Sequence, residues 1–300
     1  MTKSKPNSWL FAYLGTGIVW GASFLFISMA IQSFSPVGVA FWRMALGAAP
    51  IAIVAIIKRL PWPKTPIVWF HLLIVSLCMN AIPSFLFSYA ELHVSSALAG
   101  IINAATPITT VLVILIAFRE EKPKPHLLTG LLVGFIGVIV VLGIWNGFGK
   151  TEPLAIGALI LAVTLYGIGG PYARRYLTPL KLPIEVHVAS QVGISAVLLA
   201  PIYLTGPLLV APLTWQAFVG ISCLGLIGTG IAYIWYYQVM AAAGSAIANS
   251  VTYLSPVVAV IAGASLLREQ ISWNQLLGGA VVILGAMIAH GRLNKVLGFK

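Results

Sequence analysis

Three hundred residues that are 60% hydrophobic and 8% charged, with a mean hydropathy of +1.01, exclude a soluble domain, whose charged fraction is about 25%. The formal net charge of +11 needs no nucleic acid to explain it, because basic loops beside anionic lipid account for nearly all of it. Apolar runs long enough to cross a hydrocarbon core of about 30 Å recur along the chain, which predicts helical spans; a transmembrane barrel would leave short alternating segments instead.

Ten spans are predicted, at 9–30, 37–57, 67–88, 95–117, 126–146, 153–174, 185–205, 215–237, 244–266 and 272–290. The first follows Lys3 and Lys5 but is too long for a secretion signal and lacks a small-residue cleavage site, so it reads as a retained span. Gly17 and Gly21, four apart, offer it a close-packing face. Arg43 is the one cation well inside an apolar run, and Pro50 follows it in the second span. The third span holds Cys78 and Pro83 and ends at Tyr89, Glu91 and His93. Asn103 and Pro107 fall in the fourth, Gly130 with Gly134 and Gly143 with Gly147 in or beside the fifth, and Tyr166 and Pro171 in the sixth. The seventh carries His187 and Pro201; the eighth carries Cys223, Tyr233, Tyr237 and a loosening set of Gly225, Gly228 and Gly230. Asn249, Tyr253 and Pro256 lie in the ninth. The two cysteines lack metal-like or Cys-x-x-Cys spacing and read as buried inert thiols.

The fourth and ninth spans repeat one another. SALAGIINAATP, then FREE, then LLTGLLV returns as SAIANSVTYLSP, then LREQ, then LLGGAVV, and a gapless shift of 149 residues lays Pro107 on Pro256, Arg119 on Arg268, Glu120 on Glu269 and Gly130 on Gly279. Each copy closes a half of five spans, an odd number, so the second half must run through the bilayer in the opposite sense. The predicted fold is therefore two inverted five-helix repeats, 1–150 and 151–300, an organisation typical of transporters. Basic residues orient it: a cytoplasmic N-terminus puts fourteen of the seventeen Lys and Arg on the cytoplasmic side, leaving Lys150 and Arg268 outside and Arg43 within the membrane. Both termini are thus expected in the cytoplasm.

Several chemistries are excluded. Aspartate is absent, which removes an intramembrane aspartyl protease, and no G-x-x-x-x-G-K-[ST], H-E-x-x-H or G-x-S-x-G motif occurs. No cofactor or metal is expected, and the chain is not expected to be an enzyme.

W-G-A-S-F from Trp20 to Phe24, the arginine of F-W-R at Arg43, and the doubled run of small residues, proline and R-E together resemble the EamA branch of the drug/metabolite transporter superfamily. The resemblance spans nearly the whole chain. It implies ten helices in two inverted halves around a cavity formed mainly by the first, third, fourth, sixth, eighth and ninth helices. It further implies export of amino acids and other small metabolites across a bacterial-type inner membrane, and within the family the chain most resembles exporters of aromatic amino acids. In two respects it departs: W-G appears in the second half only as Tyr166–Gly167, and Arg43 aligns with a neutral stretch near Ser190.

Polar and aromatic side chains at mid-span depth are the candidates for substrate binding, since polar atoms in lipid normally face the bundle interior. They are Trp20, Ser23, Arg43, Tyr89, Asn103, Tyr166, Tyr233, Tyr237, Asn249 and Tyr253. The asparagines suit either a zwitterion or an interhelical hydrogen bond. The aromatics either line the cavity or join the interfacial belt with Trp9, Trp62, Trp69 and Trp215. Arg43 either meets a substrate carboxylate or binds backbone carbonyls. Pro107 and Pro256 are candidate matched hinges, or merely shape the bundle. Glu91, His93 and His187, near span ends, are the candidates for proton coupling. The expected function is export of small metabolites, amino acids first, by alternating access, as a uniporter or with protons; the partners are the small-molecule substrate and the lipid bilayer, as monomer or homodimer. Alternatives are a proton antiporter of cationic drug-like metabolites, a gated aromatic-lined pore and a membrane scaffold.

Overall fold

The computed structural model describes residues 8–94, 96–118, 124–146, 152–258 and 272–289, and among these every regular element is helical. The chain runs α1 (Ser8–Ala30), α2 (Pro36–Ile57), α3 (Pro66–Ser76) and α4 (Ile82–Ala90), then α5 (Ser96–Asn103), α6 (Thr106–Ala117) and α7 (Pro125–Leu142). It continues with α8 (Pro153–Tyr176), α9 (Ile184–Leu204), α10 (Trp215–Gly225), α11 (Ala232–Ala243), α12 (Ser245–Asn249), α13 (254–258) and α14 (Trp273–Ala289).

Six helical stretches are long and apolar enough to cross a membrane: Trp9–Ala30, Pro36–Ile57, Pro66–Ala90, Pro153–Leu180, Ile184–Leu204 and Trp215–Ala243. Shorter apolar helices occupy Thr106–Ala117, Pro125–Val141 and Leu276–Ala289. Among the described residues, six full spans thus stand where ten are predicted from sequence, and the second part of the predicted ninth span lies outside the described residues. The difference at the fourth has a clear cause: Pro107 has no N–H to give to the carbonyl of Asn103 four residues earlier, so the helix breaks at Ala104–Ala105 and restarts with the proline in its first turn. The ninth is broken likewise, with a 3₁₀ segment at Ser250–Tyr253 between α12 and α13. Arg119, Glu120, Arg268 and Glu269 of the doubled R-E motif lie outside the described residues.

Two spans are interrupted by π-turns, Leu77–Ala81 between α3 and α4 and Leu226–Ile231 between α10 and α11. Their first residues stand 149 positions apart, the register of the sequence repeat, as do the starts of α3 and α10 and of α5 and α12. Packing follows the same exchange: α1 lies against α10 and α11 as α8 lies against α3 and α4, while α2 packs on α9 and α7 on α14.

Small residues set the close contacts. A Cβ built on Gly130 would lie 2.2 Å from the Ala289 nitrogen, and one on Gly285 would lie 2.3 Å from the Gly134 nitrogen, so α7 and α14 touch backbone to backbone. Gly17 and Gly21 receive Leu254 and Val258 of α13. Gly143, expected in a packing face with Gly147, instead ends α7 in the left-handed conformation at φ 57°, where the absence of a Cβ removes the steric penalty; Gly147 lies outside the described residues. Ser35 and Thr214 cap α2 and α10 by accepting from Gly38 N at 3.2 Å and Ala217 N at 3.1 Å.

Candidate functional site

A central cavity of about 590 Å³, counting the space at its mouth, opens between the packed helices. Trp20, Ser23, Phe24 and Ile27 reach it from one face of α1, as spacing of three, four and seven residues requires. Arg43 enters from α2, Met79 from the first π-turn, Phe87 from α4, Tyr166 from α8 and Tyr233 from α11. Both broken spans meet it: Asn103 ends α5 and Thr106 starts α6, while Asn249 ends α12 and Thr252 lies in the 3₁₀ segment after it.

Each interruption frees backbone carbonyls that must be satisfied inside a membrane. Thr106 Oγ1 donates to Asn103 O at 2.7 Å, and Thr252 Oγ1 donates to Asn249 O at 3.0 Å. At the π-turns the donors are aromatic: Tyr233 OH gives its proton to Met79 O at 2.6 Å, and Trp20 Nε1 donates to Gly228 O at 3.0 Å. One residue further along each turn, Gln191 Nε2 donates to Asn80 Oδ1 and Arg43 Nε donates to Thr229 Oγ1, the latter at 2.9 Å. The cavity wall is thereby stitched between the first and second halves of the chain.

Toward the end of the bundle at which α1 begins, the cavity is bordered by a buried polar layer. Tyr236 OH donates to Asn249 Oδ1 at 2.7 Å, Asn249 Nδ2 to Thr110 Oγ1 at 2.6 Å, and Thr110 Oγ1 to Thr106 O at 2.7 Å. Tyr13 OH and Ser250 Oγ meet at 3.0 Å nearby, and Tyr237 OH donates to Gln191 Oε1. In the opposite direction the lining follows α1 outward to Ile27.

Seven of the residues singled out from sequence line this cavity: Trp20, Ser23, Arg43, Asn103, Tyr166, Tyr233 and Asn249. Tyr89 lies elsewhere, against Phe85 and His93, and Tyr253 is spent on α7, its hydroxyl donating to Leu131 O at 2.8 Å. Tyr237 belongs to the Gln191 layer behind the wall. Glu91 caps α4 and His93 Nδ1 lies 2.7 Å from Glu152 Oε2, both at the end of that helix, while His187 is buried against the Tyr237 ring; none of the three lines the cavity. Pro107 stands in the first turn of α6 and Pro256 in α13, each just beyond a break. Phe24, Ile27, Met79, Phe87, Thr106 and Thr252 were not among the binding candidates chosen from sequence; Phe24 closes the W-G-A-S-F motif and Thr252 takes the place of Asn103 in the repeat register, while the others left no such signal.

The model describing EamA-like transporters matches this sequence twice, over residues 7–143 and 153–290. The chain belongs to the EamA-like transporter family. It is a multi-pass membrane transporter. It is similar to an uncharacterized transporter of Archaeoglobus fulgidus, 26% identical over 90% of this chain and 94% of that one. The uncharacterized transporter YyaM of Bacillus subtilis is 26% identical over 93% and 92%, and the uncharacterized inner membrane transporter YedA of Escherichia coli is 25% identical over 90% and 87%. A crystal structure that aligns with 97% of the transporter and 99% of its own chain, at a TM-score of 0.75 and 20% identity, shares the fold.

Proposed function

We propose that this transporter exports small amphipathic metabolites, aromatic amino acids foremost, by alternating access between two inverted five-helix halves, 1–150 and 151–300. The observation that carries this reading is the cavity itself, walled by both halves and bordered by broken helices, where a transporter binds substrate. Trp20, Phe24, Phe87, Tyr166 and Tyr233 give it flat apolar surface, and Asn103, Ser23 and the threonines give it hydrogen-bonding groups. The polar layer from Asn249 to Thr110 serves as the closed gate, and matched breaks before Pro107 and Pro256 serve as hinges.

The proposed orientation has both termini in the cytoplasm. Lys58, Arg59, Lys64, Lys124, Arg174, Arg175 and Lys181, all the described Lys and Arg apart from Arg43, sit in or beside connections at the end where α1 begins, which supports it. A bacterial-type inner membrane fits the name of the Escherichia coli relative. Because neither Glu91, His93 nor His187 lines the cavity, uniport is favoured over proton exchange.

The test is uptake of labelled tryptophan, phenylalanine and threonine into proteoliposomes, with and without an imposed pH gradient. Saturable uptake with trans-stimulation, unaffected by the gradient once membrane potential is corrected for, is expected. Linear uptake without trans-stimulation would replace the carrier by a gated pore, and gradient-driven accumulation would replace uniport by exchange.

A further inference from the structure

Arg43 is 9% exposed, and its guanidinium is fixed from one side. Nε donates to Thr229 Oγ1, whose own proton goes to Leu224 O at 3.0 Å, so the threonine can offer only its lone pairs. That is the single hydrogen bond of Arg43 among the described residues, and it leaves the end-on pair Nη1 and Nη2 for the cavity that Arg43 lines. No described glutamate lines that cavity, and Arg43 forms no ion pair among the described residues. A buried cation without a counter-charge is strongly destabilised, and removal from water strengthens its attraction for any anion that arrives. The end-on fork of a guanidinium matches the two oxygens of a carboxylate.

We propose that Arg43 is the receptor for the carboxylate of the substrate, and that the cavity selects aromatic or similarly flat organic anions over cations. This rests on the cavity being the substrate site. The remaining polar groups, Asn103, Asn249, Ser23, the paired threonines and the tyrosine hydroxyls, are neutral, so a substrate ammonium group finds lone pairs but no opposite charge. An amino acid binds through its carboxylate, and its deaminated counterpart binds at least as well. A cationic amine of the same shape meets Arg43 across a poorly screened interior and is rejected.

Three probes that share one aromatic body separate the charges: phenylpropanoate, phenylalanine and phenethylamine. Binding to the purified full chain in nanodiscs and flux into proteoliposomes are measured for each. Phenylpropanoate is expected to bind as tightly as phenylalanine or tighter, and at least about tenfold tighter than phenethylamine. R43Q is expected to abolish that preference while R43K retains part of it. Phenethylamine binding best, or R43Q keeping the wild-type order in a folded protein, would overturn the assignment, and so would binding of none of the three. Should R43Q fail to fold, the wild-type order alone decides. Transport of phenethylamine alone would sink this inference and leave transport standing; anion binding without flux of any probe would support the site and sink the transport reading.

Discussion

Met79 and Gly228 hold the same place in the two π-turns, 149 residues apart, and each offers its carbonyl to an aromatic donor from the other half of the chain. Tyr233 serves Met79 and Trp20 serves Gly228. A π-turn shifts the helix hydrogen-bonding pattern and commonly marks a functional position. Here both turns are closed by side chains that also face the cavity, so occupation of the cavity and the geometry of the helices are physically linked.

Removing either donor tests that link. W20F and Y233F keep an aromatic ring but leave a buried carbonyl orphaned. Each is expected to destabilise the fold by about 0.5–2 kcal/mol, the range found for interhelical hydrogen bonds in membranes. Uptake is expected to fall further than the lost stability accounts for. Thermal unfolding in detergent, read beside flux per folded molecule, checks both parts.

Gly130 and Gly279 are equivalent in the repeat and opposite in surroundings. A Cβ at Gly130 would meet backbone atoms of α14 at 2.2 to 2.6 Å, whereas nothing lies within 4 Å of one at Gly279. G130A is expected to force α7 from α14 and cost about 1–3 kcal/mol. G279A is expected to be neutral, or to stabilise by up to about 1 kcal/mol through helix propensity. Melting temperatures of the two variants give the comparison directly.

The gate depends on Asn249, whose amide joins Tyr236 to Thr110. N249L removes both the acceptor of the Tyr236 hydroxyl and the amide donor to Thr110 Oγ1, and is expected to cost about 1–3 kcal/mol. T110V is expected to cost less, because Tyr236 keeps its acceptor. Uptake of a small uncharged solute with no affinity for the cavity should rise in N249L above T110V if this layer is the seal.

Much of the fold was legible because it rests on local rules. Apolar length placed the first three spans and the sixth to eighth within a few residues of the observed helices, except that α11 continues to Ala243, past the expected end at 237. The breaks in the fourth and ninth spans were foreshadowed by Pro107 and Pro256, although each break lies before its proline, since a proline lacks the N–H that would bond the carbonyl four residues earlier. The π-turns left no comparable mark: Leu77–Ala81 reads as ordinary apolar helix, and only the glycines of the second turn hinted at weakness. Depth along a helix was the other hidden quantity. Tyr233 and Tyr237 share one face of α11 four residues apart, yet the first lines the cavity and the second, one turn further along, meets Gln191, a difference made by what the neighbouring helices place at each depth.

The most direct test of the central claim is to fill the cavity without disturbing the outside of the bundle. Ser23 lies in its wall, while Leu25, two residues along α1, points outward with 57% of its surface exposed. Uptake of labelled phenylalanine by S23W and L25W in proteoliposomes, normalised to folded protein, is predicted to fall to the level of empty vesicles for S23W and to stay near wild type for L25W. Wild-type uptake by S23W would contradict the assignment of this cavity as the substrate route.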